Sequence, residues 1–264
     1  MEWTTQEGIA AEREGEGPFV VGLHGLTATR RYVLMGARTV ERSGRTAVLY
    51  DARGHGASAP PSDGVYSYPA LADDLAGILD AAGARDAVLI GVSMGAHTAV
   101  RFALEHPERV RGLLVVTPAY DPDAFPAGLE RWDALAHGLR TGGVEGFIAA
   151  YDLSRLAPAW REPAERGLRQ RMSAHAHPLA VADALSAVPR SRPFESWASL
   201  ERIGAPTVVV GSRDDADPEH PLAVARAYAQ AIPGARLELE DEGASPIAWQ
   251  GGRLSRLLLE HLSK

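Results

Sequence analysis

The segment Gly91–Ala96 places a serine between two glycines directly after an apolar run. It reads Gly-Val-Ser-Met-Gly-Ala, a G-x-S-x-G pattern, and it follows the strand-like run Ala87–Ile90. A helical pattern starts at Met94 and continues to about Glu105. In a sharp turn between a strand and a helix, small neighbours let the chain double back and expose the serine hydroxyl. The free N–H groups that begin the helix favour negative charge there. We therefore predict that Ser93 is a nucleophile for acyl transfer.

Four further polar segments occur where predicted strands end. They are Leu23–Thr27, Asp51–Ser58, Gly211–Pro218 and Gly243–Pro246. With the serine segment they give the order H-G, D-x-R-G-H-G-x-S, G-x-S-M-G and G-x-x-D-x-x-x-P. This order resembles the α/β-hydrolase family over essentially the whole chain.

The resemblance implies a role for each matching residue. Ser93 would be the nucleophile and Asp214 the acid that orients a histidine. The backbone N–H groups of Leu26 and Met94 would form the oxyanion hole. Framework roles are implied for His24 and His55, and a structural role is expected for His97, one turn into the helix after Ser93.

Other aspartates compete with Asp214 for the role of the acid. Asp215 and Asp217 lie in the same loop, and Asp121 follows the fourth predicted strand. The G-x-x-D-x-x-x-P spacing selects Asp214, so Asp215 and Asp217 are expected to be solvated loop residues.

The chain departs from the family at the expected general base. The family's histidine follows the last strand in a G-H-S-P-like stretch, where this chain has Gly243-Ala244-Ser245-Pro246. Ala244 therefore stands at the position of the catalytic histidine. A serine hydroxyl is a poor nucleophile without a base, and loss of a triad histidine costs about 10⁶ in turnover.

Three explanations are open for Ala244. It can be a His→Ala replacement in an otherwise intact site. Another histidine can supply the base, either His220 or the pair His175 and His177. The chain can also be a naturally base-less protein that binds a small molecule. We favour a serine hydrolase impaired at its base, with the non-catalytic binding protein as the alternative from another functional class.

The elements that position these residues alternate between short apolar runs and amphipathic segments. This alternation predicts an α/β fold, a mainly parallel sheet flanked by helices. The predicted strands are Phe19–Leu23, Thr46–Tyr50, Ala87–Ile90, Gly112–Val116, Thr207–Val210 and Arg236–Leu239. The predicted helices outside the insertion are Tyr68–Ala82, Met94–Glu105, Pro221–Ile232 and Gly251–Leu262.

The alternation stops between about Ala119 and Leu200, where the pattern is mostly helical. So long a segment between two core strands predicts an inserted helical lid, residues 119–199, on a core made of 1–118 and 200–264. The candidate substrate-pocket residues are His24, Trp132, Phe147, Tyr151 and Trp160. Aromatic side chains in the lid favour small or medium esters or lactones as substrates.

Composition excludes several functional classes. The 264 residues contain no cysteine, which excludes thiol nucleophiles, disulfides and thiolate metal sites. The only lysine is Lys264, so Schiff-base and Walker-type phosphate chemistry have no suitable residue. The net charge of −7 disfavours nucleic-acid binding, and no apolar run is long enough to span a membrane. We expect a cytoplasmic enzyme that needs no cofactor or metal and has a small-molecule substrate; the oligomeric state is not predicted.

Overall fold

The computed structural model describes residues 1–213 and 217–262, which form an eight-stranded sheet with helices on both faces. The strands are β1 (Glu2–Thr4), β2 (Ala10–Glu14), β3 (Phe19–Leu23), β4 (Thr46–Tyr50), β5 (Ala87–Val92), β6 (Val110–Val116), β7 (Thr207–Val210) and β8 (Arg236–Glu238). Their order in the sheet is β1-β2-β4-β3-β5-β6-β7-β8. Strand β2 pairs antiparallel with β1 and with β4, and the remaining pairs are parallel. The predicted α/β architecture is confirmed.

Helices cover both faces of the sheet because successive strand residues point to opposite sides. The helices of the core are α1 (Arg31–Leu34), α2 (Thr39–Arg42), α3 (Tyr68–Ala82), α4 (Met94–Glu105), α8 (Leu222–Ala231) and α9 (Gly251–His261). Val21 packs with the helices on one face, α3, α4 and α8, and Val20 packs with those on the other, α1, α2 and α9. The two apolar layers together bury most residues of the central strands.

Residues between β6 and β7 are helical and contain no strand. The α-helices here are α5 (Leu129–Ala150), α6 (Pro158–Met172) and α7 (Pro178–Ala187), and α5 is kinked at Gly143. They share an apolar cluster of their own, which includes Leu139, Phe147 and Leu185. The helical content agrees with the expected lid, whose boundaries remain a prediction.

The D-x-R-G-H-G-x-S segment after β4 holds the framework together. The Asp51 carboxylate lies 2.5 Å from the Arg30 guanidinium, and Arg53 donates to the Asp74 carboxylate at 2.6 Å. His55 Nδ1 contacts the Arg53 carbonyl at 2.9 Å. These contacts join the loop after β4 to α3, and they leave Asp51 and Arg53 each paired with an opposite charge.

Candidate active site

Ser93 occupies a strained turn between β5 and α4. Its backbone has φ 52° and ψ −111°, in a region that side chains other than glycine rarely adopt. The flanking glycines make this turn possible: a Cβ at Gly91 would lie 2.2 Å from the Gly95 carbonyl oxygen. A Cβ at Gly95 would lie 2.3 Å from the carbonyl oxygen of Leu23. The turn therefore fixes the serine at the carboxyl edge of the sheet.

His220 lies between Ser93 and Asp217 in a chain of hydrogen bonds. Its Nε2 is 2.9 Å from Ser93 Oγ, and its Nδ1 is 2.8 Å from Asp217 Oδ1. His220 and Asp217 belong to one turn. The backbone N–H of His220 donates to the Asp217 carbonyl at 3.2 Å, and Pro218 lies between the two residues in the sequence. The carboxylate holds a proton on Nδ1, so Nε2 is free to accept one from the serine.

This geometry corrects the expectation that Ser93 lacks an imidazole partner. It also corrects the assignment of Asp217 to a solvated loop, because the Asp217 side chain is only 11% exposed. Ala244 is exposed in a turn, where its N–H donates to the Asp241 carbonyl at 3.0 Å. The predicted acid, Asp214, lies outside the described residues.

The remaining candidates for acid and base lie elsewhere. His177 is exposed, and His175 is buried against the loop after β4. The Asp121 carboxylate accepts from the Asp123 N–H at 2.9 Å rather than from a histidine. Among the alternatives that the sequence left open, His220 is the histidine that contacts Ser93.

The two expected oxyanion donors lie beside Ser93. Met94 is the first residue of α4, and an N–H at that position has no partner within its own helix. Leu26 follows β3 and borders the same cavity as Ser93 and Met94. Neither N–H donates a hydrogen bond to another described residue. Both are thus available to an oxygen bound at the serine.

Serine, imidazole and carboxylate in this order, on a turn after the central strand, are typical of hydrolases built on such sheets. A family model described as the alpha/beta hydrolase fold matches residues 18–251. The chain belongs to the α/β-hydrolase fold family.

Individual relatives of this α/β-hydrolase are themselves named hydrolases. RutD of Variovorax paradoxus, named provisionally as a carbamate hydrolase, is 31% identical over 66% of this chain and 65% of its own length. The 2-(acetamidomethylene)succinate hydrolase of Mesorhizobium japonicum is 29% identical over 76% of this chain and 73% of its own. A thermophilic esterase from Thermogutta terrifontis, solved with malate bound, matches with a TM-score of 0.80 and 28% identity, covering 98% of this chain and 96% of the esterase.

None of the helices in 1–213 and 217–262 is long and apolar enough to cross a membrane.

Two cavities meet at Ser93. The first has a volume of about 180 Å³ and the second about 160 Å³. Each is close to a cavity of about 150 Å³ that accommodates benzene. Both are bordered by Leu26, Ser93, Ala119 and Trp132. A substrate with its carbonyl at Ser93 can therefore place one small group on each side.

The structure brings three of the five candidate pocket residues to these cavities. Trp132 borders both, and Phe147 and Tyr151 border the second. The expectation for the other two is corrected. Trp160 packs behind the second cavity, with its ring centroid 5.5 Å from that of Trp249. His24 is a framework residue, since its Nε2 accepts from the Ala52 N–H at 2.8 Å.

His97 forms hydrogen bonds with residues that border the first cavity. Its Nε2 accepts from the N–H groups of Ala119 and Tyr120, at 3.0 and 3.1 Å, and its Nδ1 lies 2.8 Å from the Tyr68 hydroxyl. Burial lowers the pKa of His97 to about 3, so the ring is neutral and Nδ1 donates to Tyr68. His97 thus has the structural role that the sequence suggested.

His175 joins the inserted helices to the core. Its Nδ1 accepts from the Gly56 N–H at 2.8 Å, and its Nε2 donates to the Thr27 carbonyl at 3.1 Å. Burial lowers the pKa of His175 to about 4, against an ordinary value of 6.5. Protonation would place a second N–H against the donor of Gly56.

We expect the free energy of unfolding to fall as the pH drops from about 6.5 to about 4. Unfolded His175 binds a proton through this range while the folded form stays neutral, so the native state is fully favoured above it. At about pH 4, His175 lowers the free energy of unfolding by about 3 kcal/mol. Urea unfolding at pH 7.5, 6 and 5 measures it. His175→Asn should remove this part of the dependence and leave the part that comes from the other buried histidines, and His137→Asn, at an exposed position, is the control. An equal dependence in wild type and His175→Asn would contradict the assignment.

Proposed function

We propose that the protein hydrolyses carboxylic esters or lactones of small to medium size through an acyl-enzyme on Ser93. The observation that carries the proposal is the chain of hydrogen bonds from Ser93 through His220 to Asp217. In this proposal His220 supplies the base that the sequence lacks at Ala244. The expected impairment of the enzyme is therefore replaced by an active site with its base in a different loop.

The reaction begins when Ser93 Oγ attacks the substrate carbonyl while His220 Nε2 takes the hydroxyl proton. The carbonyl oxygen becomes an oxyanion, which accepts hydrogen bonds from the N–H groups of Leu26 and Met94. The tetrahedral intermediate then breaks the bond to the alcohol oxygen, which receives the proton from His220. Asp217 stabilises the imidazolium that exists between these two steps.

Deacylation repeats the same steps with water. His220 Nε2 removes a proton from the water as its oxygen attacks the acyl carbon, and the proton then returns to Ser93 Oγ. The acid product leaves and the serine is restored. A lactone gives a single product, because the alcohol and the acid stay joined.

The size of the substrate is inferred from the two cavities at Ser93. Volumes of about 180 and 160 Å³ suit groups of a few heavy atoms on each side of the ester. The esterase name of the Thermogutta relative supports the same bond type. Long acyl chains would need more room than either cavity offers.

The test combines turnover with covalent labelling. The purified protein is assayed with p-nitrophenyl acetate, p-nitrophenyl butyrate and γ-butyrolactone, then with a fluorophosphonate that reacts with activated serines. We expect turnover, and one phosphonyl group on Ser93 that abolishes it; Ser93→Ala should remain unlabelled. A protein that neither turns over these substrates nor takes up the phosphonate would instead support the non-catalytic binding protein.

A further inference from the structure

Arg171 presents its positive charge to the second cavity. It lies in the last turn of α6 and borders the cavity together with Ser93 and His220. Its Nε is buried and has no hydrogen-bond partner. Among the described residues, no carboxylate forms an ion pair with its guanidinium. Buried charges are normally paired, so Arg171 lacks the partner that its surroundings require.

The other charges around this cavity are already engaged. Arg131 forms an ion pair with Glu219, which Arg155 also contacts at 2.8 Å. Asp217 is the hydrogen-bond acceptor of His220. The ion pair of Arg131 with Glu219 and the hydrogen bond of Asp217 to His220 leave Arg171 as the lining charge without a direct partner among the described residues.

Arg171 forms no hydrogen bond or ion pair with the groups that interact with its charge, which are Tyr151, Tyr32 and Asp217, and burial lowers the pKa of its guanidinium. A guanidinium nevertheless stays protonated in proteins. The first cavity is bordered by Asp121 and by no arginine, so the two sides of Ser93 differ in charge.

We propose that Arg171 binds a carboxylate on the part of the substrate that occupies the second cavity. The planar guanidinium can donate two parallel hydrogen bonds to one carboxylate. A singly charged group neutralises Arg171, whereas a doubly charged phosphate would add negative charge beside Asp217 and Glu219. The cavity of about 160 Å³ suits a group the size of benzoate. This proposal rests on the function proposed above. The substrate is then an ester or lactone that also carries a carboxylate.

The test measures binding separately from hydrolysis. Isothermal titration with benzoate and with its neutral analogue benzamide is carried out at pH 7.5 on wild type, Arg171→Met and Arg171→Lys. We expect wild type to bind benzoate at least about 10-fold more tightly than benzamide. Arg171→Met should weaken benzoate about 10–100-fold, the range for a hydrogen bond to a charged group, and leave benzamide within about twofold. The benzoate affinity of Arg171→Lys should lie between those of wild type and Arg171→Met, because lysine keeps the positive charge and lacks the planar pair of donors.

Arg166→Met is the matched control. Arg166 lies on the same helix, is exposed, and pairs with Glu162 at 2.6 Å, so its loss should not change benzoate binding. Equal affinities of wild type for benzoate and benzamide, or benzoate binding that survives Arg171→Met, would overturn the proposal. These results are independent of hydrolysis: a protein that binds benzoate through Arg171 but cleaves no ester would refute the proposed function alone.

Discussion

His220→Ala is expected to lower kcat for p-nitrophenyl acetate by up to about 10⁶-fold, close to the rate in buffer. Removing the histidine of a serine–histidine–aspartate triad has an effect of that size, because the serine hydroxyl then keeps its proton. Here the imidazole Nε2 lies 2.9 Å from Ser93 Oγ, within the range for direct proton transfer. Initial rates at saturating substrate, corrected for the buffer reaction, give the measurement.

Two further variants decide whether His220 is the base. His177→Ala removes an exposed histidine that the sequence also offered, and its kcat should stay within about twofold of wild type. Ala244→His restores the residue that the family places after the last strand, and little gain is expected while His220 holds the serine. Activity that survives His220→Ala, or that rises by orders of magnitude in Ala244→His, would refute the role of His220.

Much of the core was predictable because its signals are local. The helix Tyr68–Ala82 has the bounds that its apolar spacing predicted. Ser67 caps its first turn by accepting from the Ala70 N–H, and Gly83 ends it with φ 72°. Capping residues and periodicity act over a few positions, so one sequence suffices to find them.

The antiparallel strands at the sheet edge were not predicted. Glu2–Thr4 is only three residues long, and Ala10–Glu14 contains three charged residues. Neither shows a long apolar run: Glu2–Thr4 is the edge strand, and only Ala10 and Ala11 of the second strand are buried. The pairing of Ala10–Glu14 with Thr46–Tyr50 depends on tertiary contacts that the local pattern does not encode.

Within the site, Ser93 was predictable, His220 was one of several histidines that the sequence left open, and Asp217 was expected to be solvated. The serine is fixed by glycines within two positions of it. The base was sought after the last strand, at Ala244, where the family places it. A local signal did exist: in Asp217-Pro218-Glu219-His220, proline at the second position of a turn brings the first and fourth residues together.

The unpaired charge of Arg171 illustrates a different limit of sequence reasoning. Its helix carries other arginines, among them Arg166 and Arg169, and both of these pair with glutamates on the surface. Nothing in the spacing separates Arg171, whose Nε is buried, from these two arginines. The distinction arises only when the inserted helices pack over the sheet and enclose one of them.

Asp217→Asn is expected to lower kcat by about 10⁴-fold and to leave the fold intact. An asparagine at this position can donate to His220 Nδ1, which moves the ring proton to Nε2 and removes the acceptor for the serine hydroxyl. The present contact of 2.8 Å between Asp217 Oδ1 and His220 Nδ1 requires the opposite tautomer. Measuring kcat for p-nitrophenyl acetate, with circular dichroism to check the fold, tests the prediction.

Asp214→Asn is the control that separates the two acids. Asp214 was favoured by the G-x-x-D-x-x-x-P spacing, and Asp217 is the aspartate that contacts the imidazole. If Asp217 alone orients His220, Asp214→Asn should retain kcat within about threefold of wild type, because the hydrogen bond to the imidazole is then unchanged. The reverse pattern, a large loss in Asp214→Asn and a small one in Asp217→Asn, would return the acid to the position that the family implies. Similar large losses in both variants would mean that the two carboxylates act on the imidazole together.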